Sequence, residues 1–283
     1  MNINSFNDIS NTVGYSGLTL SLEEIVILRN SLIILQKENH FLNIFLWGKL
    51  LGIAKDYYIS FGYRNDALHG QTYFYSTDGF VWDLLPKPNM RSRLLTPLCV
   101  SRLQGDPALV VDVYEQYANT KPFGTEVFKD HGRYFKELKE EDRLSSLVEM
   151  YNEDALIKPR GALFKRADGV VIENKVYEGL SIQDAREIKS YMHWRRPHQR
   201  WNTNLLTRYD YNYALDFLDT IDKDIPKTSW TLHIEHGTIA ILRSLYWPGM
   251  TFYQKINNSE HGSLYIGYGK RNLDIPHMLH NWG

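Results

Sequence analysis

WTLHIEHGTIAILRSLYWPGMTFYQKINNSEHGSLYIGYG, residues 230–269, is the most regular passage of the 283-residue chain. Trp230, Leu232 and Ile234 alternate with Thr231, His233 and Glu235, the two-residue period of a strand with one buried face. His236-Gly237 turns the chain into TIAILRSLYW, Pro248-Gly249 turns it again into MTFYQKI, and the loop NNSEHG leads into SLYIGYG. Short strands separated by turns at this spacing predict a four-strand antiparallel meander. Trp247 precedes proline, which biases it towards an extended backbone, and its large ring is expected in the core.

Working back towards the N-terminus, Ser21 and Glu24 form a capping box ahead of Ile25, Leu28, Leu32 and Leu35, so 22–38 reads as an amphipathic helix. NIFLWGKLLGIAKDYYISFGY (43–63) reads as extended strand, with Gly48 and Gly52 marking bulges or close approaches. Asp78-Gly79, between aromatic runs, signals a two-residue hairpin, and Pro86 and Pro88 stop its second strand. Residues 86–135 read as loops and irregular structure. FKELKEEDRLSSLVEMY (135–151) reads as a helix burying Leu144, Leu147, Val148 and Tyr151. Short strands follow about turns at 159–161 and 168–169. Ser181 caps a helix running to about Met192, and a shorter helix covers 213–222. Strands at both ends with helices between them predict an α+β fold: antiparallel sheets, including the C-terminal meander, with several packed amphipathic helices. Residues 1–20 are polar and expected to be mobile. Residues 21–283 are expected to form a single globular unit, with two lobes meeting near 135–155 as the other arrangement.

Composition narrows the function. Lys plus Arg total 32 and Asp plus Glu 33, so the net charge is -1 and only a local patch could grip a phosphate backbone. Cys99 is the sole cysteine, which leaves no internal disulfide and no cysteine zinc cage. The start lacks the basic and apolar runs of a signal peptide, and no apolar run is long enough to span a membrane. The expected compartment is reducing.

Catalytic patterns fail one by one. HIEH places His233, Glu235 and His236 on a strand, where the metalloprotease motif needs a helix and a wider spacing. His277 and His280 fall at a terminus. GYGK (267–270) lacks the length and the Ser or Thr of a P-loop. Cys99 has no activating neighbour in sequence and reads as a small buried hydrophobe. Glu140, Glu141 and Asp142 complement a helix dipole. No catalytic, cofactor-binding or metal residue is assigned, and no cofactor is expected. One patch remains: HWRRPHQRW (193–201), with Trp194, Arg195, Arg196 and Trp201. Basic and aromatic residues together serve single-stranded nucleic acid, protein hot spots or a solvated face. The absence of a supporting charge excess favours a protein contact.

FLWGKLLGIAKDYYISFG, KPRGALFK, YEGLS, DIPKTSW, LRSLYWPGMTFY and GYGKRNLDIPHML, in that order, resemble the radial spoke head protein 9 family, over roughly 41–62 and 156–283. Thr228 stands where that family usually has glycine, and the middle region matches mainly around Gly105-Asp106-Pro107. The resemblance implies a non-enzymatic subunit of the radial spoke head of motile cilia and flagella. Such a subunit would sit beside radial spoke head proteins 4 and 6 and relay contact from central-pair projections towards the dyneins. It implies an axonemal location, cytoplasmic before assembly, with neither nucleic acid nor membrane as partner. It also suggests that Tyr246 and Tyr253 face outward at a subunit interface. The competing expectation is a cytosolic enzyme or ligand-binding protein whose pocket is walled by the C-terminal aromatics.

Overall fold

The computed structural model describes residues 1–3, 6, 14, 19–113, 137–198 and 211–275. The first described helix, α1 (Leu22–Glu38), begins where the sequence places it. The Glu24 N–H donates to Ser21 Oγ (3.2 Å) and the Ser21 N–H donates back to the Glu24 carboxylate (2.7 Å). Strands β1 (Asn43–Leu50), β2 (Tyr57–Tyr63), β3 (Thr72–Ser76) and β4 (Asp83–Leu84) follow. A short helix α2 (Met90–Leu95) precedes the two-strand pair β5 (Val110–Asp112) and β6 (Glu137–Lys139), which leads into helix α3 (Glu140–Ala155). Then come β7 (Ile157–Pro159), β8 (Leu163–Lys165), β9 (Val171–Glu173), the single turn α4 (Ile182–Ala185) and β10 (Tyr191–His193). The chain closes with β11 (Trp230–Glu235), β12 (Ile239–Ser244), β13 (Met250–Lys255) and β14 (His261–Gly267).

The predicted meander is present, and it continues into something larger. β14 pairs in parallel with β1, giving one eight-stranded sheet in the order β11-β12-β13-β14-β1-β2-β3-β4. Every other pairing in it is antiparallel. The register between β1 and β2 shifts at Leu46/Gly48, a bulge. A Cβ on Gly48 would lie 2.1 Å from the Tyr265 carbonyl oxygen, so only glycine lets the two strands meet there. Gly249 performs the same service at the Pro248 turn, with φ of 101° and the Ile266 carbonyl 2.0 Å from where a Cβ would sit.

Both faces of the central strands of this sheet are buried. Phe45, Trp47, Ile59, Phe61, Leu242, Phe252 and Tyr265 pack under Leu144, Leu147, Val148 and Tyr151 of α3 and the β7 and β10 pair. The alternate residues Ile44, Leu46, Phe74, Tyr253, Leu264 and Ile266 pack under Leu28, Leu32 and Leu35 of α1. Double burial explains why β1 reads as an almost unbroken apolar run while β11, at an edge, alternates.

Several local expectations shift. The 43–63 stretch is a hairpin of two strands rather than one extended run. At Asp78-Gly79 a hairpin forms, but Phe74 pairs with Leu84, so its loop is longer than two residues. The Asp78 carboxylate accepts the N–H groups of Phe80 (2.8 Å) and Val81 (3.1 Å), and this local turn takes up the extra length. The third helix starts at Glu140, because 137–139 are drawn into pairing with β5. Ser181 caps as predicted, but the helix ends at Ala185; Tyr191–His193 instead pair with Ile157–Pro159. Residues 213–222 form turns leading into a 3-10 turn at Ile221–Lys223 rather than a helix.

Some described residues of the 1–20 segment are docked on the fold. Met1, Ile3 and Phe6 are buried against the face under α1. The Met1 amine donates to the carbonyls of Leu46 and Ser263 (2.8 Å for the second), and Leu46 N–H donates back to the Met1 carbonyl. Apolar side chains spaced through a polar stretch suffice for this docking.

Trp247 is 1 % exposed, and its Nε1–H donates to Asp154 Oδ2 (3.0 Å). Its ring meets Tyr151 and Tyr265 edge-on, at centroid distances of 5.5 and 6.3 Å. Trp247→Ala should therefore lower unfolding stability by about 3–5 kcal/mol, read from urea melts. A variant that melts with wild type would refute the core assignment.

Candidate interaction surface

The basic and aromatic stretch after His193 does not present one face. Trp194 is 3 % exposed; its Nε1–H donates to the Ala67 carbonyl (3.0 Å) and its ring meets Phe45 and Phe61 edge-on. It was expected at an interface, but the pairing of β10 with β7 carries it inward, with its N–H bonded to the Leu156 carbonyl. Arg195 lies against α3, donating to the Glu153 carbonyl (2.8 Å) and to Asp219 Oδ2 (2.9 Å). It stitches 195–198 to residue 219 and is not free to grip a phosphate chain. Arg196 is exposed and remains available. Trp201 lies outside the described residues.

Tyr253, the second expected outward ring, is fully buried between β13 and the residues under α1. Strand period decides this: Phe252 faces α3, so Tyr253 faces α1, and both sides are covered. Tyr246 is half-buried at the surface. Its hydroxyl donates to the Ile225 carbonyl (2.9 Å), the Arg271 guanidinium lies 4.9 Å from its ring centroid, and its own carbonyl accepts Asn272 N–H (2.7 Å). Those bonds bring two strongly exposed apolar residues beside it, Ile225 at 87 % and Leu273 at 66 %. Sequence reasoning missed both. The available signal was an isolated Ile and an isolated Leu inside otherwise polar loops. A single exposed apolar residue is ordinary, whereas Ile225 is held by the Tyr246 hydroxyl and Leu273 follows the Asn272 that the Tyr246 carbonyl holds.

Of the other described C-terminal aromatics, Trp230, Trp247, Phe252 and Tyr265 lie in the core, while Tyr268 is exposed with the Arg102 guanidinium 4.1 Å from its ring centroid. Trp47, Tyr151 and Tyr265 lie with ring centroids 4.5–5.3 Å apart. The cavity bounded by Phe45, Phe61, Trp194, Phe252, Lys158 and His261 measures about 10 Å³, room for one water at most. At its wall Lys158 Nζ is 3.0 Å from His261 Nε2, 3.6 Å from Glu173 Oε1, and 4.4 Å from the Trp194 ring centroid. His261 Nδ1 is 2.8 Å from the Ser259 carbonyl. Nδ1 must therefore carry the proton, which leaves Nε2 as acceptor for Lys158 and the ring neutral. Burial first, and then Lys158, push the His261 value well below 6.5. Burial likewise lowers Lys158 against the pull of Glu173, and takes the nearby Met1 amine down to about 4.

His233 and Glu235 stand on one face of β11 and His236 in the following turn, and among the described residues no group of three His, Cys, Asp or Glu is placed to hold a metal. Burial raises the Cys99 thiol value, with Arg143 pulling weakly the other way, so the reactive thiolate is disfavoured. Glu140 is spent structurally. Its carboxylate accepts the Tyr57 hydroxyl (2.8 Å) and the N–H groups of Gln104 (2.9 Å) and Gly105 (2.7 Å).

No protein-family model matches the chain. It is 36 % identical over 266 residues to the radial spoke head protein 9 homologs of Bos taurus and Homo sapiens, across 93 % of this chain and 95 % of each relative. It is 37 % identical over 270 residues to the homolog of Xenopus tropicalis, across 94 % of this chain and 96 % of that one. The chain belongs to the radial spoke head protein 9 family.

The buried Lys158–His261 contact has a measurable signature. Below about pH 6.5 the unfolded chain protonates His261 while the folded chain does not, so this contribution is complete above that pH and is lost as pH falls. His261→Gln keeps an acceptor for Lys158 and does not titrate. Its stability should fall less steeply below pH 6.5, by up to about 1.4 kcal/mol per pH unit. Unfolding curves at pH 7, 6 and 5 test this; an unchanged slope would show that His261 titrates normally.

Proposed function

We propose, from its membership of the radial spoke head protein 9 family, that this chain is a non-enzymatic structural subunit of the radial spoke head of the axoneme. It reaches that assembly from the cytoplasm, binds spoke-head proteins of the 4/6 type and other spoke-head subunits, and helps relay mechanical contact from central-pair projections to the dyneins. Ciliary motility depends on that relay. The observation that carries the reading is similarity over nearly the full length of relatives named for the spoke head. The structure supports it indirectly. The aromatic side chains that might have built a substrate pocket are consumed by the core, while Ile225, Tyr246, Leu273 and Arg196 remain at the surface. Among the described residues no helix is long and apolar enough to cross a membrane, and the net charge of -1 offers little general attraction for nucleic acid.

Localisation of the tagged chain in a ciliated cell tests the core of this reading. Axonemal signal that survives detergent extraction is expected; diffuse cytosolic signal would sink it. The nature of the contact gives a second expectation. With near-zero net charge, association should rest on apolar and hydrogen-bonded surface, as in permanent complexes burying more than about 2,000 Å². Salt at 1 M shortens the Debye length to about 3 Å and removes exposed charge attraction. Co-expressed with a 4/6-type partner, the chain should co-elute in gel filtration at low salt and at about 1 M. A complex that dissociates only at high salt would show that charge holds it.

A further inference from the structure

The two edges of the eight-stranded sheet differ in kind. β4 is two residues long, and Pro86 and Pro88 follow it closely, which blunts that edge. β11 has six residues with no proline, no lysine and no bulge. Leu245 N–H donates to the Ser229 carbonyl (2.8 Å), and the register of β11 with β12 continues that pair through Thr231, His233 and Glu235. Those residues turn their main-chain groups towards β12. Leu232 and Ile234 therefore turn theirs away from the sheet. Among the described residues no main-chain group bonds to them on that side.

We propose that the free edge of β11 is a docking site for an extended segment of another spoke-head subunit, which adds a strand to the sheet through the outward N–H and C=O groups of Leu232 and Ile234. This rests on the spoke-head reading above. Main-chain pairing supplies affinity in this mode and alternate side chains supply specificity. The faces of β11 state what the incoming segment must carry. Trp230, Leu232 and Ile234 lie in or against the main core layer, so apolar residues at every second position would extend that layer. The opposite face offers Thr231, His233 and, on β12, Arg243, all exposed, which calls for polar residues between them. A second copy of this chain fits less well. Self-pairing about Leu232 sets His233 opposite Thr231 and Glu235 opposite Ser229, and self-pairing about His233 sets Glu235 opposite Thr231 and His233 opposite its own copy, so neither register forms a charged pair.

Leu232→Pro removes the outward N–H without touching the ladder to β12, a position where an edge strand tolerates proline. Leu232→Ala loses the same side-chain packing and keeps the N–H. Each full-length variant is expressed in a ciliated cell in place of the native chain, and its amount in detergent-extracted axonemes is compared with wild type. Leu232→Pro should fall about tenfold below Leu232→Ala, while the two purified chains melt together. Equal retention would overturn the proposal. Hydrogen exchange keeps the test decisive if the proline variant misfolds. The Leu232 and Ile234 amides should exchange fast in the free wild-type chain and be protected in isolated spoke heads; fast exchange in both overturns it. A wild-type dimer in sedimentation that Leu232→Pro dissolves would assign the edge to a second copy and overturn the occupant proposed. Absence of wild type from axonemes would instead defeat the spoke-head reading, and with it the partner named.

Discussion

The parallel pairing of β1 with β14 joins the two ends of the chain, and the rest of the fold hangs on it. Gly48, Lys49 and Leu50 lie opposite Tyr265, Ile266 and Gly267. Without that seam the N-terminal hairpin and the C-terminal meander would each expose an edge and half a core. With it, the central strands offer an apolar surface on both faces, and the helices have something to cover. The seam depends on a missing side chain: any Cβ at Gly48 would collide with the Tyr265 carbonyl. The main-chain bonds pair groups whose sequence separation exceeds two hundred residues, an ordering cost that only the burial on both faces can offset.

Charged side chains then fasten the covering layers to the sheet. Glu24, already part of the α1 capping box, also accepts from Lys49 Nζ (2.7 Å) and the Tyr58 hydroxyl (2.6 Å), while Lys49 reaches Asp56 (2.9 Å). Burial raises the Glu24 value, but these hydrogen bonds outweigh it and hold the carboxyl at about 2. On the other face Glu140 gathers the 104–105 amides at the start of α3, so one carboxylate anchors the Gly105-Asp106-Pro107 loop, the N-terminus of a helix and Tyr57 of β2. Buried carboxylates with this many donors act as fixtures.

That economy bears on function. A chain so rich in aromatic residues invited the idea of a pocket, yet the rings of Trp47, Tyr151, Trp247 and Tyr265 meet one another. Among the described residues, the exposed features include a strand edge, Ile225 and Leu273 in the loops bonded to Tyr246, and Phe80, Val81 and Leu84 about the β3–β4 turn. Those are features that bind other surfaces, in keeping with relatives named for the radial spoke head.

The sequence by itself determined the features whose hydrogen bonds close within a few residues at the strand ends and helix starts. The strand period of 230–235, the Ser21 and Glu24 box, the Ser181 cap and the turns at His236-Gly237 and Pro248-Gly249 are all where local rules put them, because their hydrogen bonds close within a few residues. Only the tertiary structure decided the β1–β14 seam, the short helix that yields to β10, and the inward turn of Trp194 and Tyr253. The same alternation that exposes Thr231 on an edge strand buries Tyr253 on a central one. A strand's own sequence says which residues share a face; what covers that face comes from segments far along the chain, here α1 and α3. The residues expected at an interface were therefore the least legible, since exposure at one position is set by packing from everywhere else.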